Sequence, residues 1–564
     1  MKRLFVGCLA TLGALVLVVV AAVGGALWYF EPWAGTALPE RGYLTLDLRG
    51  GLPQAAPDPL LPFDQSSPIT VERAVLALDE AAADPRITGL FALVDGETGG
   101  LARAQDLRQA VLRFRDAGKP AVAFADSFGE LSQGTSGYYL ASGFEQVTLQ
   151  PHGLVGFTGI FAEVPLIRGL LDQVGVRFEL SAREAYKTFR DTFTERDLTP
   201  QHREMLESIT GDAIDRIVAD IASSRGRSEA DIRAAMERGP LLAQEALDAG
   251  LIDRIAYRDE AEAGMGPAEA VAIEDYAAAQ DERALPDDAP TIALIQAVGA
   301  IQRGEGSAGG LGGFTIGADD LAEALGTAAE DTSIQAVLLA IDSPGGSAVA
   351  SETIGRAVRL VREAGKPVVV AMGDAAASGG YWIAMDADAI YAQPGTLTGS
   401  IGVVAGKPVL TDLLTRLEVN VPAIGTGGNA DVFSITRPYS PEGQARLEAS
   451  LDAIYAGFLE GVARGRDMDP ERARSLAQGR VWTGAQAAEN GLADGLGGFK
   501  AALDDLKGRV GVESDAPVEL RRLPAPLGTL ERLRGFADVQ ALLARGLAMV
   551  GLPATAQAPL TGLR

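Results

Sequence analysis

A chain of 564 residues is too long for one hydrophobic core and calls for two large domains or more, and its 47% hydrophobic against 22% charged residues mark folded rather than disordered material. A formal net charge of -26 repels a phosphate backbone or an anionic bilayer surface, which excludes nucleic acid as a partner of the body. The single cysteine, Cys8, and two histidines, His152 and His202, with no metal-ligand spacing exclude a disulfide framework and a zinc site. They also leave little material for a serine–histidine–aspartate triad.

Met1-Lys2-Arg3 precedes an uncharged run over residues 4–30. At about 1.5 Å per residue this run spans a hydrocarbon core of about 30 Å, which predicts a membrane helix. Trp28 and Tyr29 fall at its far interface, and the basic pair predicts a cytoplasmic N-terminus with everything after Glu31 across the membrane. A cleaved signal peptide is the alternative, but its apolar core would cover only about 7–15 residues. Residues 32–39 form a short tether, and an alternating strand begins over residues 43–48.

The body is an internal duplication. Gly134-Thr135-Ser136-Gly137-Tyr138-Tyr139-Leu140-Ala141 matches Ala377-Ser378-Gly379-Gly380-Tyr381-Trp382-Ile383-Ala384, and Pro151 with Gly156 matches Pro394 with Gly399. Upstream, Ala117-Gly118-Lys119-Pro120 matches Ala364-Gly365-Lys366-Pro367; downstream, the segment from Ala246 to Asp253 matches the one from Ala487 to Asp494. This places a first repeat at residues 31–258 and a second at 291–511, separated by an Ala, Asp and Glu-rich stretch, 259–290, that reads as an exposed acidic linker. Apolar strands alternate with amphipathic helices in both copies, for example Ala336 to Ile341, then a helix ending at Ala364, then Pro367 to Ala371. The alternation predicts an α/β fold with mostly parallel strands, twice over. The tail, 512–564, has room for an amphipathic helix over residues 530–550.

Chemistry concentrates where the copies differ. Gly373-Asp374-Ala375-Ala376-Ala377-Ser378-Gly379-Gly380 is a run of small residues entering a helix, so a substrate backbone can approach Ser378 and free amides can face developing negative charge. The first copy has Thr135 there, leaving Ser378 as the candidate nucleophile. Asp342-Ser343-Pro344-Gly345-Gly346-Ser347 follows a buried strand, and the amides of Gly346 and Gly379 are candidate oxyanion donors, each worth about 3 kcal/mol in such sites. The alternative is that these glycines only make tight strand–helix turns.

With histidine scarce, and His152 placed by Pro151-His152-Gly153 in a turn, the usable base is a lysine held neutral by burial. Lys187 stands in Arg183-Glu184-Ala185-Tyr186-Lys187-Thr188-Phe189, whose aromatic residues are expected to desolvate it, while the second copy has no lysine over residues 427–433. A solvated surface amine is the plainer reading of a lone lysine. Yet the two candidate groups survive in opposite halves, which suggests one site built where the repeats meet.

Taken together, Ser378 in its Ala-Ala-Ser-Gly-Gly-Tyr-Trp setting, Asp342 to Ser347, Leu397-Thr398-Gly399-Ser400-Ile401-Gly402 and Tyr186-Lys187 resemble signal peptide peptidase A of the long, duplicated type, over roughly residues 1–510. The resemblance implies a tandem fold of the Clp protease and crotonase kind, with Ser378 as nucleophile and Lys187 as general base. Ser400 would orient the lysine amine. It further implies a bowl-shaped homotetramer on the outer face of a bacterial cytoplasmic membrane that degrades signal peptides without metal or organic cofactor. One departure is the flank Thr188-Phe189-Arg190-Asp191, where the family pattern has Ser-Ala, an acidic residue and Pro-Phe. Two readings from other classes stay open: an acyl-CoA hydratase or isomerase on a similar fold, and a membrane-tethered scaffold without activity.

Overall fold

The computed structural model describes residues 38–56, 68–130, 132–286, 288–308 and 313–525. The expected anchor, 4–30, and the expected helix at 530–550 lie outside these residues. Among the described residues no helix is long and apolar enough to cross a membrane.

Each repeat is built on its own twisted sheet. In the first, six strands lie in the order Arg254–Ile255, Gln146–Leu149, Ala121–Ala125, Ile87–Leu93, Gly42–Asp47, Glu269–Ala272, every pair parallel. In the second, Thr291–Val298, Ile334–Ser343 and Val368–Ala377 form the parallel centre, and Leu397–Gly399 continues it before an antiparallel edge, Val481–Thr483. The central strands are predominantly apolar because both their faces are covered. Ile295, Val337, Leu339 and Val370 pack on one side, while Ile292, Leu338 and Val369 meet Phe499, Leu503 and Leu506 of helix Phe499–Arg509 on the other. Helix Ala348–Glu363 starts at Ser347, whose hydroxyl accepts from the Ala350 amide, and buries Ala350, Ile354, Val358 and Val361 at spacings of three and four.

The duplication extends to individual contacts. Lys119 Nζ donates to the carbonyls of Ala81 and Asp84, and Lys366 Nζ donates to those of Ala328 and Asp331. Tyr138 donates its hydroxyl to the Leu251 carbonyl as Tyr381 does to that of Leu492.

Two boundaries differ from the sequence reading. Residues 259–290 are not an exposed linker: Glu269–Ala272 is the edge strand of the first sheet, and helix Ile273–Asp281 buries Ile273, Tyr276 and Ala277. Residues 512–525 likewise include Glu519–Leu523, which pairs with Thr291–Val298 as Glu269–Ala272 pairs with Gly42–Asp47. Each repeat therefore closes on a late edge strand.

Among the described residues, the contacts that clasp the repeats together include three groups. Gln393 Nε2 donates to Asp106 Oδ1 at 2.7 Å and the Gly395 amide to Gln105 Oε1 at 2.7 Å, beside an Arg103–Asp374 ion pair. Strand Arg177–Ala182 of the first repeat pairs antiparallel with Val404–Val409 of the second. Helix Pro200–Arg225 reaches the Val481–Thr483 edge, where Thr483 Oγ1 donates to Asp212 at 2.6 Å. The second and third clasps bring the halves together around Ser378.

Candidate active site

Strand Val368–Ala377 ends at Ser378, which turns sharply into helix Gly379–Ala384 with φ 55° and ψ -116°. A positive φ is costly for a residue with a Cβ, and this one is fixed from both sides. The Ser378 amide donates to the Gly399 carbonyl at 2.8 Å, and its carbonyl accepts from the Trp382 amide at 2.9 Å. The small neighbours are a packing requirement: a Cβ on Gly379 would lie 2.5 Å from Ser351 Oγ, and one on Gly380 would lie 2.7 Å from the Ser343 carbonyl.

Lys187 comes from the first repeat and crosses to this serine. Its Nζ lies 3.0 Å from Ser378 Oγ, 2.9 Å from Ser400 Oγ and 2.8 Å from the Ser400 carbonyl. An ammonium here would donate to all three oxygens, whereas an uncharged amine can donate to both Ser400 oxygens and accept from the Ser378 hydroxyl. The residue is 6% exposed, and burial alone pulls its pKa down to about 8.

What buries the lysine differs in part from what the sequence suggested. Phe189 is 63% exposed and turns its ring to Phe193. The covering comes from backbone of the second repeat instead. A Cβ on Gly479 would fall 2.5 Å from the Lys187 amide nitrogen, and one on Gly402 would fall 3.4 Å from Lys187 Cδ. The Tyr186 amide donates to the Gln478 carbonyl at 3.1 Å, and the Ser400 amide to that of Arg480 at 2.7 Å. Residues 478–480 thus hold the lysine's segment and Ser400 together, and sequence reasoning missed them because a short turn between helix Pro470–Leu476 and strand Val481–Thr483 carries no periodic signal.

Gly346 and Gly379 also converge on Ser378. The Ile301 amide donates to the Gly345 carbonyl and the Ser347 amide to that of Ile301, which leaves the intervening Gly346 amide off the bridge. Among the described residues neither the Gly346 nor the Gly379 amide donates to a backbone carbonyl. A Cβ on Gly379 would lie 3.1 Å from the Gly346 nitrogen, and one on Gly345 would lie 2.8 Å from Ser378 Cβ. Two free amides therefore flank the serine at the start of a helix, where backbone donors gather.

The first copy keeps the frame without the chemistry. The Gly134 amide, one residue before the serine's counterpart, donates to the Gly156 carbonyl, and the Thr135 hydroxyl is buried and spent on the Gly159 carbonyl at 2.8 Å. His152 occupies a turn with φ 70°, and His202 sits near the start of helix Pro200–Arg225, its Nδ1 3.6 Å from Asp191.

The model of peptidase family S49 matches residues 113–271 and 361–513, one region in each repeat, the first holding Lys187 and the second Ser378 and Ser400. The chain belongs to peptidase family S49. Its relatives include Protease 4 of Haemophilus influenzae, 30% identical over 86% of this chain and 82% of that protein. Protease 4 of Salmonella typhi is 34% identical over 76% and 70%, and the chloroplastic serine protease SPPA of Arabidopsis thaliana 29% identical over 80% and 67%. Among solved structures, a ClpP1 mutant from Listeria monocytogenes matches 37% of this chain and 93% of its own at 14% identity, with a TM-score of 0.24. Of the readings that the sequence left open, membership of S49 decides for a serine peptidase of the SppA type over a thioester enzyme or an inactive scaffold.

Proposed function

We propose that this S49 peptidase cleaves signal peptides released from secretory precursors, using Ser378 as nucleophile and Lys187 as general base. The observation that carries the dyad is the 3.0 Å separation of Lys187 Nζ from Ser378 Oγ in a buried setting, with burial as the cause of the lowered amine pKa. Neutral Lys187 takes the hydroxyl proton as Ser378 Oγ attacks the peptide carbonyl. The amides of Gly346 and Gly379 hold the oxyanion, and Lys187 returns the proton to the leaving amine. Water, deprotonated by the same lysine, then resolves the acyl-enzyme. Ser400 keeps the amine aimed, because both its oxygens lie within 3 Å of Nζ.

Signal-peptide substrates are supported by the small residues around Ser378 and by the uncharged run at residues 4–30, which would tether the body to the outer face of a bacterial cytoplasmic membrane. Synthetic signal sequences given to the detergent-solubilised chain should be cut within their apolar cores, as read by mass spectrometry, while polar peptides of equal length survive. Equal cleavage of both would remove the substrate assignment and leave the dyad standing.

A homotetramer is supported by two unpaired edges. Within one chain, residues 177–182 pair with 404–409. The repeat alignment makes residues 161–166 the counterpart of the second strand and 420–425 the counterpart of the first, and both are exposed without strand partners among the described residues. They carry Phe161, Val421 and Ile424 in solvent. Pairing 420–425 of one chain with 161–166 of the next repeats the internal contact head to tail and closes a ring. Phe161→Glu combined with Ile424→Glu should convert the tetramer to monomers in light scattering; a wild-type chain that is already monomeric would sink the assembly.

A further inference from the structure

We propose that Arg480, gripped by Glu204, is a positioning residue that seats Lys187 against Ser378. The inference rests on the dyad reading above and assigns a role to an ion pair that the catalytic steps do not use. The Arg480 guanidinium lies 5.1 Å from the Tyr186 ring centroid and 4.6 Å from that of Trp482, sandwiched between the residue before the lysine and the edge strand Val481–Thr483. Glu204, on helix Pro200–Arg225 of the first repeat, accepts from both terminal nitrogens in a forked pair, at 2.5 and 3.0 Å. The arginine side chain is only 12% exposed, and its Nε has no hydrogen-bond partner among the described residues, so the fork and the two rings are what hold it.

The backbone of the same residue completes the link. The Arg480 carbonyl accepts from the Ser400 amide, and Ser400, itself held at φ 50°, supplies two of the three oxygens around Lys187 Nζ. Arg480 therefore touches the lysine's segment with its side chain and the lysine's orienting residue with its main chain, while Glu204 ties both to the first repeat. A reacting pair drawn from two repeats needs such a tie, because a misplacement of about 1 Å can cost about a hundredfold in rate. The charged and titratable groups against the Arg480 guanidinium are Glu204 and Tyr186, while the nearby Arg183 guanidinium is turned away to Glu448 and Asp452.

The test uses the solubilised full chain with Arg480→Met, which keeps the stem between the rings and removes the fork, and Glu204→Gln, which alters only a half-exposed partner. For Arg480→Met, kcat should fall about 10- to 100-fold with KM unchanged. The ascending limb of the pH–rate profile should move to higher pH as water reaches the amine. Glu204→Gln should shift both readings in the same direction by less, and Arg480→Lys should restore little because it cannot form the fork. Wild-type kcat and an unmoved limb in folded Arg480→Met and Glu204→Gln would overturn the proposal. So would a loss of rate that only tracks the unfolded fraction. If Lys187→Met retained full activity, the dyad reading would fail first, which is a distinguishable result.

Discussion

Replacing Ser378 with alanine is expected to lower peptide turnover by at least about a thousandfold while leaving the fold intact. The change deletes one oxygen whose partner is Lys187 Nζ. The backbone at this position already carries a Cβ at φ 55°, so alanine adds no strain that serine did not have. The lysine amine keeps both Ser400 oxygens, and the Ser378 amide and carbonyl keep the Gly399 and Trp382 bonds that fix the turn. Thermal unfolding should therefore move by no more than a few degrees. A serine-directed acylating probe should add its mass to the wild-type peptide containing Ser378 and leave the variant unlabelled. Turnover retained by the purified variant would remove Ser378 as the nucleophile, whatever the geometry.

The parts of this site that the sequence disclosed are those where function forced unlike residues onto like frames. Ser378 against Thr135, and Lys187 with no lysine opposite it, stood out because the duplicated surroundings made the differences visible. The same comparison misjudged the repeat ends. Glu269–Ala272 and Glu519–Leu523 share no motif, and each is an edge strand whose identity comes from the neighbour that it pairs with. The burial of Lys187 was illegible for a related reason. Aromatic residues beside it in sequence looked like its cover, yet Phe189 points outward and the cover is glycine backbone nearly three hundred residues later. Glycine has no side chain to register in a hydrophobic pattern, and close backbone approach becomes visible only once the two repeats are docked.

Lys187→Met is expected to be as inactive as Ser378→Ala, and its stability should depend on pH differently from that of the wild type. Burial holds the folded lysine at about 8, while the unfolded chain titrates near its ordinary 10.5. Between these values the unfolded state binds more protons than the folded one, so wild-type stability rises with pH across the window. Below about 8 the folded state carries the whole cost of a buried charge or of giving up the proton, about 3 kcal/mol at 1.36 kcal/mol per pKa unit. Methionine has nothing to titrate, and it leaves the Ser400 oxygens short of a donor, a pH-independent cost of about 1–3 kcal/mol. The diagnostic is thus the slope: denaturant titrations from pH 7 to pH 10.5 should show the wild type gaining about 3 kcal/mol on the variant. The same proton sets the rate. At pH 7 only about a tenth of the amine is uncharged, so kcat/KM should climb about tenfold per pH unit and level off above about 8. A wild-type profile flat from pH 6 to pH 9, together with stability differences that ignore pH, would mean that the amine between the two repeats is not the base.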